Sequence, residues 1–208
     1  MLFRSFAVLS LATTSALLFV SPSRDVVVTA PVQDEAQAAQ MQEMMKKAAR
    51  YTQPGPHHKK LERMLGSWNT STRFVMGGRK SPPEKGVSEV TWMMEGRWLQ
   101  MRWKGEMMGR GVEGCTLLGY DNFKMSYVST GISTMDTAMT HSEGDMTPDD
   151  KALVLYGTLD EYLTGEHDKM VRYVYRFESE DEMVLEVHDL PIGLENTLVV
   201  EITFERKK

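Results

Sequence analysis

From Gly66-Ser67-Trp68 onward the chain changes its period. Ahead of this triplet the apolar residues Met41, Met44, Met45 and Ala48 recur at helical steps, and beyond it they alternate. Leu99, Met101 and Trp103 form one alternating set; Val171, Tyr173, Tyr175 and Phe177 form another. Met183, Leu185 and Val187 make a third, and Leu198, Val200, Ile202 and Phe204 the last, just ahead of Arg206. A period of two puts every member of a set on one face of a strand. Turn residues separate the sets at short intervals, among them Gly77-Gly78, Asp121-Asn122, Pro148-Asp149-Asp150 and Thr164-Gly165. Strands joined by short reversals pair antiparallel, no helical stretch intervenes to build a parallel crossover, and closing the sheet removes its edges. The pattern predicts a mainly β fold, a single antiparallel up-and-down β-barrel of about ten strands preceded by short N-terminal helices.

The N-terminal segment points to export. Met1-Leu2-Phe3-Arg4 sets one cation before an uncharged run from Ser5 to Ser23. Its apolar core of about 15 residues suits a secretory signal, because a spanning helix needs about 20. Residues 1–30 are therefore expected to be a signal peptide. Its cleavage site stays open between Val28-Thr29-Ala30, which precedes Pro31, and Ala36-Gln37-Ala38; a retained anchor is the alternative. Residues 31–56 read as a polar linker with a short amphipathic helix, ended by Gln53-Pro54-Gly55-Pro56. A second short helix from His57 to Leu65 leads into the barrel domain, 57–208. The expected location is the periplasm or the cell exterior, without stable membrane insertion once the signal is removed.

The chemistry-bearing residues exclude several classes. A net charge of −5 without a basic patch argues against nucleic acid as a partner. Cys115 is the single cysteine, so no internal disulfide forms, and its place in a strand-like run suits a small core residue. The 17 methionines include adjacent pairs, which point to opposite faces of a strand and so cannot converge on one soft metal. His57-His58 lack zinc-site spacing, while His141, His167 and His188 stand alone. Neither metal nor cofactor is expected. The chain carries no Gly-x-Ser-x-Gly elbow, phosphate loop or dinucleotide fingerprint, and no catalytic residue is assigned.

Several blocks in order carry a family resemblance: Pro54-Gly55-Pro56-His57-His58, Leu65-Gly66-Ser67-Trp68, Gly96-Arg97-Trp98-Leu99, Gly105-Glu106-Met107-Met108-Gly109, Leu118-Gly119-Tyr120-Asp121-Asn122 and Tyr127-Val128-Ser129-Thr130. Together they resemble the domain-of-unknown-function family numbered 1579, from about Met41 to Arg206. The resemblance implies a calycin-like barrel, similar in architecture to lipocalins and fatty-acid-binding proteins, and brings no established activity. It also implies roles at the closed end. Trp68 would sit there as a plug, Arg206 from the last strand would stack across its indole, and Gly66 would let the backbone pass closely.

With the alternating faces turned inward, the lumen would be mostly apolar with a few polar tips, as a small-molecule site requires. Trp103, Tyr127, Met139, His141 and Tyr173 are then the candidate ligand-binding residues, and the partner is a small apolar molecule. The competing reading is a barrel packed solid by its own side chains, working as an extracytoplasmic interaction or scaffold module through its outer face.

Overall fold

The computed structural model describes residues 32–94, 96–162, 164–193 and 197–208. The segment expected to be a signal peptide lies outside the described residues. The chain divides into two compact units, Met1–Gln42 and Glu43–Lys208. Helix α1 (Val32–Thr52) begins in the first unit, where Glu35 to Gln42 are exposed throughout. At 21 residues it is longer than the Met41 to Ala48 stripe suggests. The extension is a run of Ala and Gln, good helix formers that need no buried face. Met44 and Met45 of that stripe are 56% and 63% exposed, so it is not a packed seam.

In the second unit the end of α1 is fixed by side chains of later turns. Tyr51 stacks on Phe123 with ring centroids 4.5 Å apart, and the Asn122 amide donates to the Gln53 carbonyl at 2.9 Å. A short helix, α2 (Pro56–Lys60), continues into a 3-10 turn, Leu61–Met64. Pro56 starts α2 at the position where its missing N–H costs nothing.

Eleven strands follow: β1 (Gly66–Met76), β2 (Arg79–Lys80), β3 (Glu84–Met93), β4 (Trp98–Met107), β5 (Arg110–Asp121), β6 (Ser126–Ser133), β7 (Thr140–Met146), β8 (Ala152–Glu161), β9 (Glu166–Phe177), β10 (Glu182–Asp189) and β11 (Leu198–Arg206). Each strand from β3 to β11 pairs antiparallel with its predecessor in the barrel, and β11 pairs back onto β1 from Trp68↔Arg206 to Phe74↔Val200. The sheet is thus a closed up-and-down barrel of ten strands, with β2 a small ribbon on the end of β1. Two of its tight hairpins are built from left-handed residues, Gly77 (φ 55°) with Gly78 (φ 76°) and Met108 (φ 53°) with Gly109 (φ 73°). Such turns match the right-handed twist of the flanking strands. Met108 bears the strain of a side chain there, and its N–H is held by the Glu84 carboxylate at 2.9 Å.

One end of the barrel is sealed. Trp68, Leu99, Leu118, Tyr127, Leu153, Met183 and Phe204 meet there, with Leu61 and Met64 of the 3-10 turn, each 0% exposed, pressed against them. The Trp68 indole donates to the Met64 carbonyl at 3.0 Å and meets Phe204 edge to face. The Arg206 guanidinium lies 4.1 Å from the indole centroid and donates to the carbonyls of Leu65 (2.5 Å), Arg63 (3.0 Å) and Glu180 (2.9 Å). It therefore ties the entry to β1, the turn between β9 and β10, and the plug together. Gly66 runs beneath it at φ 116°, and a Cβ there would fall 2.7 Å from Arg206 Nη1. Glycine is required twice over, for the backbone conformation and for the close approach.

Candidate functional site

The opposite end of the barrel is open, and above the plug the interior is not filled. A cavity of about 560 Å³ runs along the axis. Its wall has two unlike arcs, joined through β1, β3 and β4, where Thr70, Thr72 and Ser88 stand among Phe74, Met101 and Trp103. From β8 to β11 it is aliphatic and aromatic, with Leu155, Val171, Tyr173, Tyr175, Leu185 and Ile202 turned inward. From β5 to β7 it is a shelf of hydroxyls, Thr116, Ser129, Thr140 and Ser142. One glycine, Gly131, interrupts the shelf, and another, Gly157 of β8, borders it. A Cβ at Gly131 would lie 2.8 Å from Thr140 Oγ1, and one at Gly157 would lie 2.8 Å from Ser142 Cβ. Trp103 of β4 lies flat on the wall over Gly114, whose Cβ would collide with the indole at 2.2 Å.

Tyr173 and Tyr175 set the electrostatic character of the apolar arc. Burial pushes the Tyr173 hydroxyl up to about 12 and raises that of Tyr175 still further. Both phenols stay neutral at any physiological pH, and neither hydroxyl bonds to a described residue. Deep in the lumen the groups able to meet a ligand are therefore uncharged.

Charge appears at the open end. Lys169 and Asp189 both face inward there, with Nζ 2.5 Å from Oδ2 and Glu161 4.0 Å from the ammonium. The hydrogen bond from Lys169 to Asp189 raises the ammonium pKa. Asp189 is 3% exposed and its Oδ1 accepts no hydrogen bond from a described residue. A carboxylate so placed depends on its single cation. Lys169→Met is accordingly expected to destabilise the barrel by about 3 kcal/mol in urea denaturation. Asp189→Leu added to it should recover most of the loss, because the stranded charge goes with it.

The candidate residues separate on this geometry. Trp103 and Tyr173 line the cavity. Tyr127 faces inward but belongs to the floor, 1% exposed with its hydroxyl donating to the His57 carbonyl at 3.1 Å. Tyr120 is wedged beside it against the His57 ring, 4.2 Å between centroids. His141 is a correction: it lies on the outer face, exposed, opposite Thr130, whose hydroxyl it meets through Nδ1 at 3.0 Å. Met139 precedes β7, is 54% exposed and lines no part of the cavity. Sequence reasoning missed the hydroxyl shelf and the Lys169–Asp189 pair. A signal for the pair was present, since Lys169 shares the parity of Val171 and Tyr173, and Asp189 that of Leu185 and Val187.

Among the described residues no group of three His, Cys, Asp or Glu side chains could hold a metal ion, and no helix is long and apolar enough to cross a membrane. His58, buried beside Tyr120, is held neutral because burial lowers its pKa, and its Nδ1 accepts the Gly55 N–H at 3.1 Å. It therefore serves the floor.

Two solved structures are similar in outline. A redesigned β-barrel shares 11% identity over 72% of this chain and 96% of its own, with a TM-score of 0.36. The S-type phycobiliprotein lyase CPES from Guillardia theta shares 13% identity over 74% and 99%, with a TM-score of 0.45. At these values neither likeness bears on function. No curated protein matches the chain. The model of the family described as "Protein of unknown function (DUF1579)" matches residues 53–206, the 3-10 turn and every barrel strand included. The chain thus belongs to the DUF1579 family, and its barrel is closed and calycin-like.

Proposed function

We propose that this protein binds a small, mostly apolar molecule inside its barrel. The observation that carries the proposal is the open cavity of about 560 Å³ above a sealed floor. This volume lies within the roughly 300–1,000 Å³ of small-molecule sites. Its walls supply affinity through Trp103, Leu155 and Leu185, while the sparse hydroxyls fix orientation. The apolar run from Ser5 to Ser23 supports export, so the ligand would be met outside the cytoplasm.

Native mass spectrometry of freshly purified protein and a thermal-shift screen of neutral carbon-rich compounds test the proposal together. A ligand at a hundred times its dissociation constant adds about 2.7 kcal/mol, a rise of roughly 5–10 °C for a domain of this size. The expected outcome is a co-purifying mass or at least one compound with a shift of that order. A bare mass together with a flat screen would leave the cavity without an occupant and contradict the proposal.

A further inference from the structure

The two-faced lumen says what kind of molecule it is made for, an inference that rests on the ligand-binding proposal above. We infer that the ligand is uncharged and bears hydroxyl or carbonyl oxygens along one edge, with hydrocarbon on the other.

The shelf carries the inference. Ser129 and Ser142 are direct cross-strand partners, and Thr116 and Thr140 flank Gly131 one step nearer the open end. The hydroxyls of Thr116, Ser129 and Ser142 bond to no described residue. Across the lumen the Tyr175 hydroxyl is likewise unpaired, on a residue only 5% exposed. These hydroxyls are open to the water of the lumen, and an occupant that seals one from water without bonding it costs about 1–3 kcal/mol. A plain hydrocarbon filling this lumen would displace water from them and return nothing. An ionised head carried to the same depth would meet only neutral dipoles, because the charged side chains Lys169, Asp189 and Glu161 stand at the mouth. A neutral ligand with oxygens on one edge satisfies the shelf and leaves its apolar face to β8–β11. The glycines at 131 and 157 keep the shelf shallow enough for a rigid ring system to lie against it.

Displacement of diphenylhexatriene, a pure hydrocarbon fluorophore, provides the test. Cholane, cholanetriol and cholate share one ring skeleton and differ as hydrocarbon, neutral triol with its hydroxyls on one face, and the same triol bearing a carboxylate. Cholanetriol is expected to displace the probe at concentrations about tenfold below either of the others. In Thr116→Val/Ser129→Ala/Ser142→Ala that preference should shrink to less than about threefold while diphenylhexatriene itself binds as before, because only polar recognition is removed. Equal displacement by the three compounds, or a preference that survives the triple substitution, would overturn the inference and leave ligand binding standing. Binding of neither the fluorophore nor any of the three compounds to the unaltered protein, the latter read directly by thermal shift, would remove both.

Discussion

Trp68→Ala is expected to cost about 4–5 kcal/mol in urea denaturation, enough to leave the barrel only marginally folded. The indole is 1% exposed and stands where β1, β11 and the 3-10 turn converge. Truncating it opens a cavity the size of its two rings, beneath Phe204 and above Met64, which strands pinned by neighbours on both sides cannot collapse to fill. The Met64 carbonyl loses its donor, and the Arg206 guanidinium loses the aromatic face on which it rests, a contact worth about 0.5–2 kcal/mol. Trp68→Phe should cost clearly less, because it keeps a ring under the cation. Arg206→Leu should fall between the two, since it frees three carbonyls at once. A loss below about 2 kcal/mol for Trp68→Ala would mean that the plug is not what seals this end.

Alkaline pH is expected to unfold the protein abruptly. Burial raises Tyr127 and Tyr173 from 10 to about 12, and Tyr175 is raised further. In each case the folded state holds a proton that the unfolded chain has already released. The contribution of these tyrosines is therefore constant below about pH 10 and falls as pH climbs towards the folded values. At about 1.4 kcal/mol per unit for each group, Tyr127 and Tyr173 alone remove roughly 5 kcal/mol by pH 12. Lys169 acts in the same direction. Its raised pKa contributes stability that is fully present below the ordinary lysine range and is lost above it. Tyrosinate absorbance should accordingly appear together with loss of the β-sheet signal in circular dichroism, in one transition. A gradual titration of all tyrosines near pH 10 with the sheet intact would contradict the burial assigned to these rings.

The strands were legible wherever one face is apolar. Leu99, Met101 and Trp103, or Tyr173 and Tyr175, announce both the strand and its inward side, and the barrel keeps them there. β7 lacks such a face. Thr140-His141-Ser142-Glu143-Gly144-Asp145 offers polar residues at both parities, so its orientation is set by β6, where Ser129 opposes Ser142 and Thr130 opposes His141. This is why His141 was placed inside on sequence and stands outside in the fold. The expectation that Tyr127 turns inward holds, but its task depends on His57, a neighbour far away in the chain that alternation cannot reveal. The ends of the barrel were legible through a different signal. Gly66, Trp68 and Arg206 come together as the family resemblance implies, with the guanidinium passing over the glycine.

A lumen-narrowing substitution tests the central claim most directly. Ser142 sits on the shelf facing the cavity, and its hydroxyl supports no described residue, so Ser142→Trp should narrow the lumen while the barrel still folds. Fluorescence titration with diphenylhexatriene is expected to saturate at one molecule per chain for the unaltered protein and to require at least about tenfold more probe for Ser142→Trp of unchanged circular dichroism. Saturation of both proteins at the same probe concentration would put the ligand somewhere other than the lumen and contradict the account.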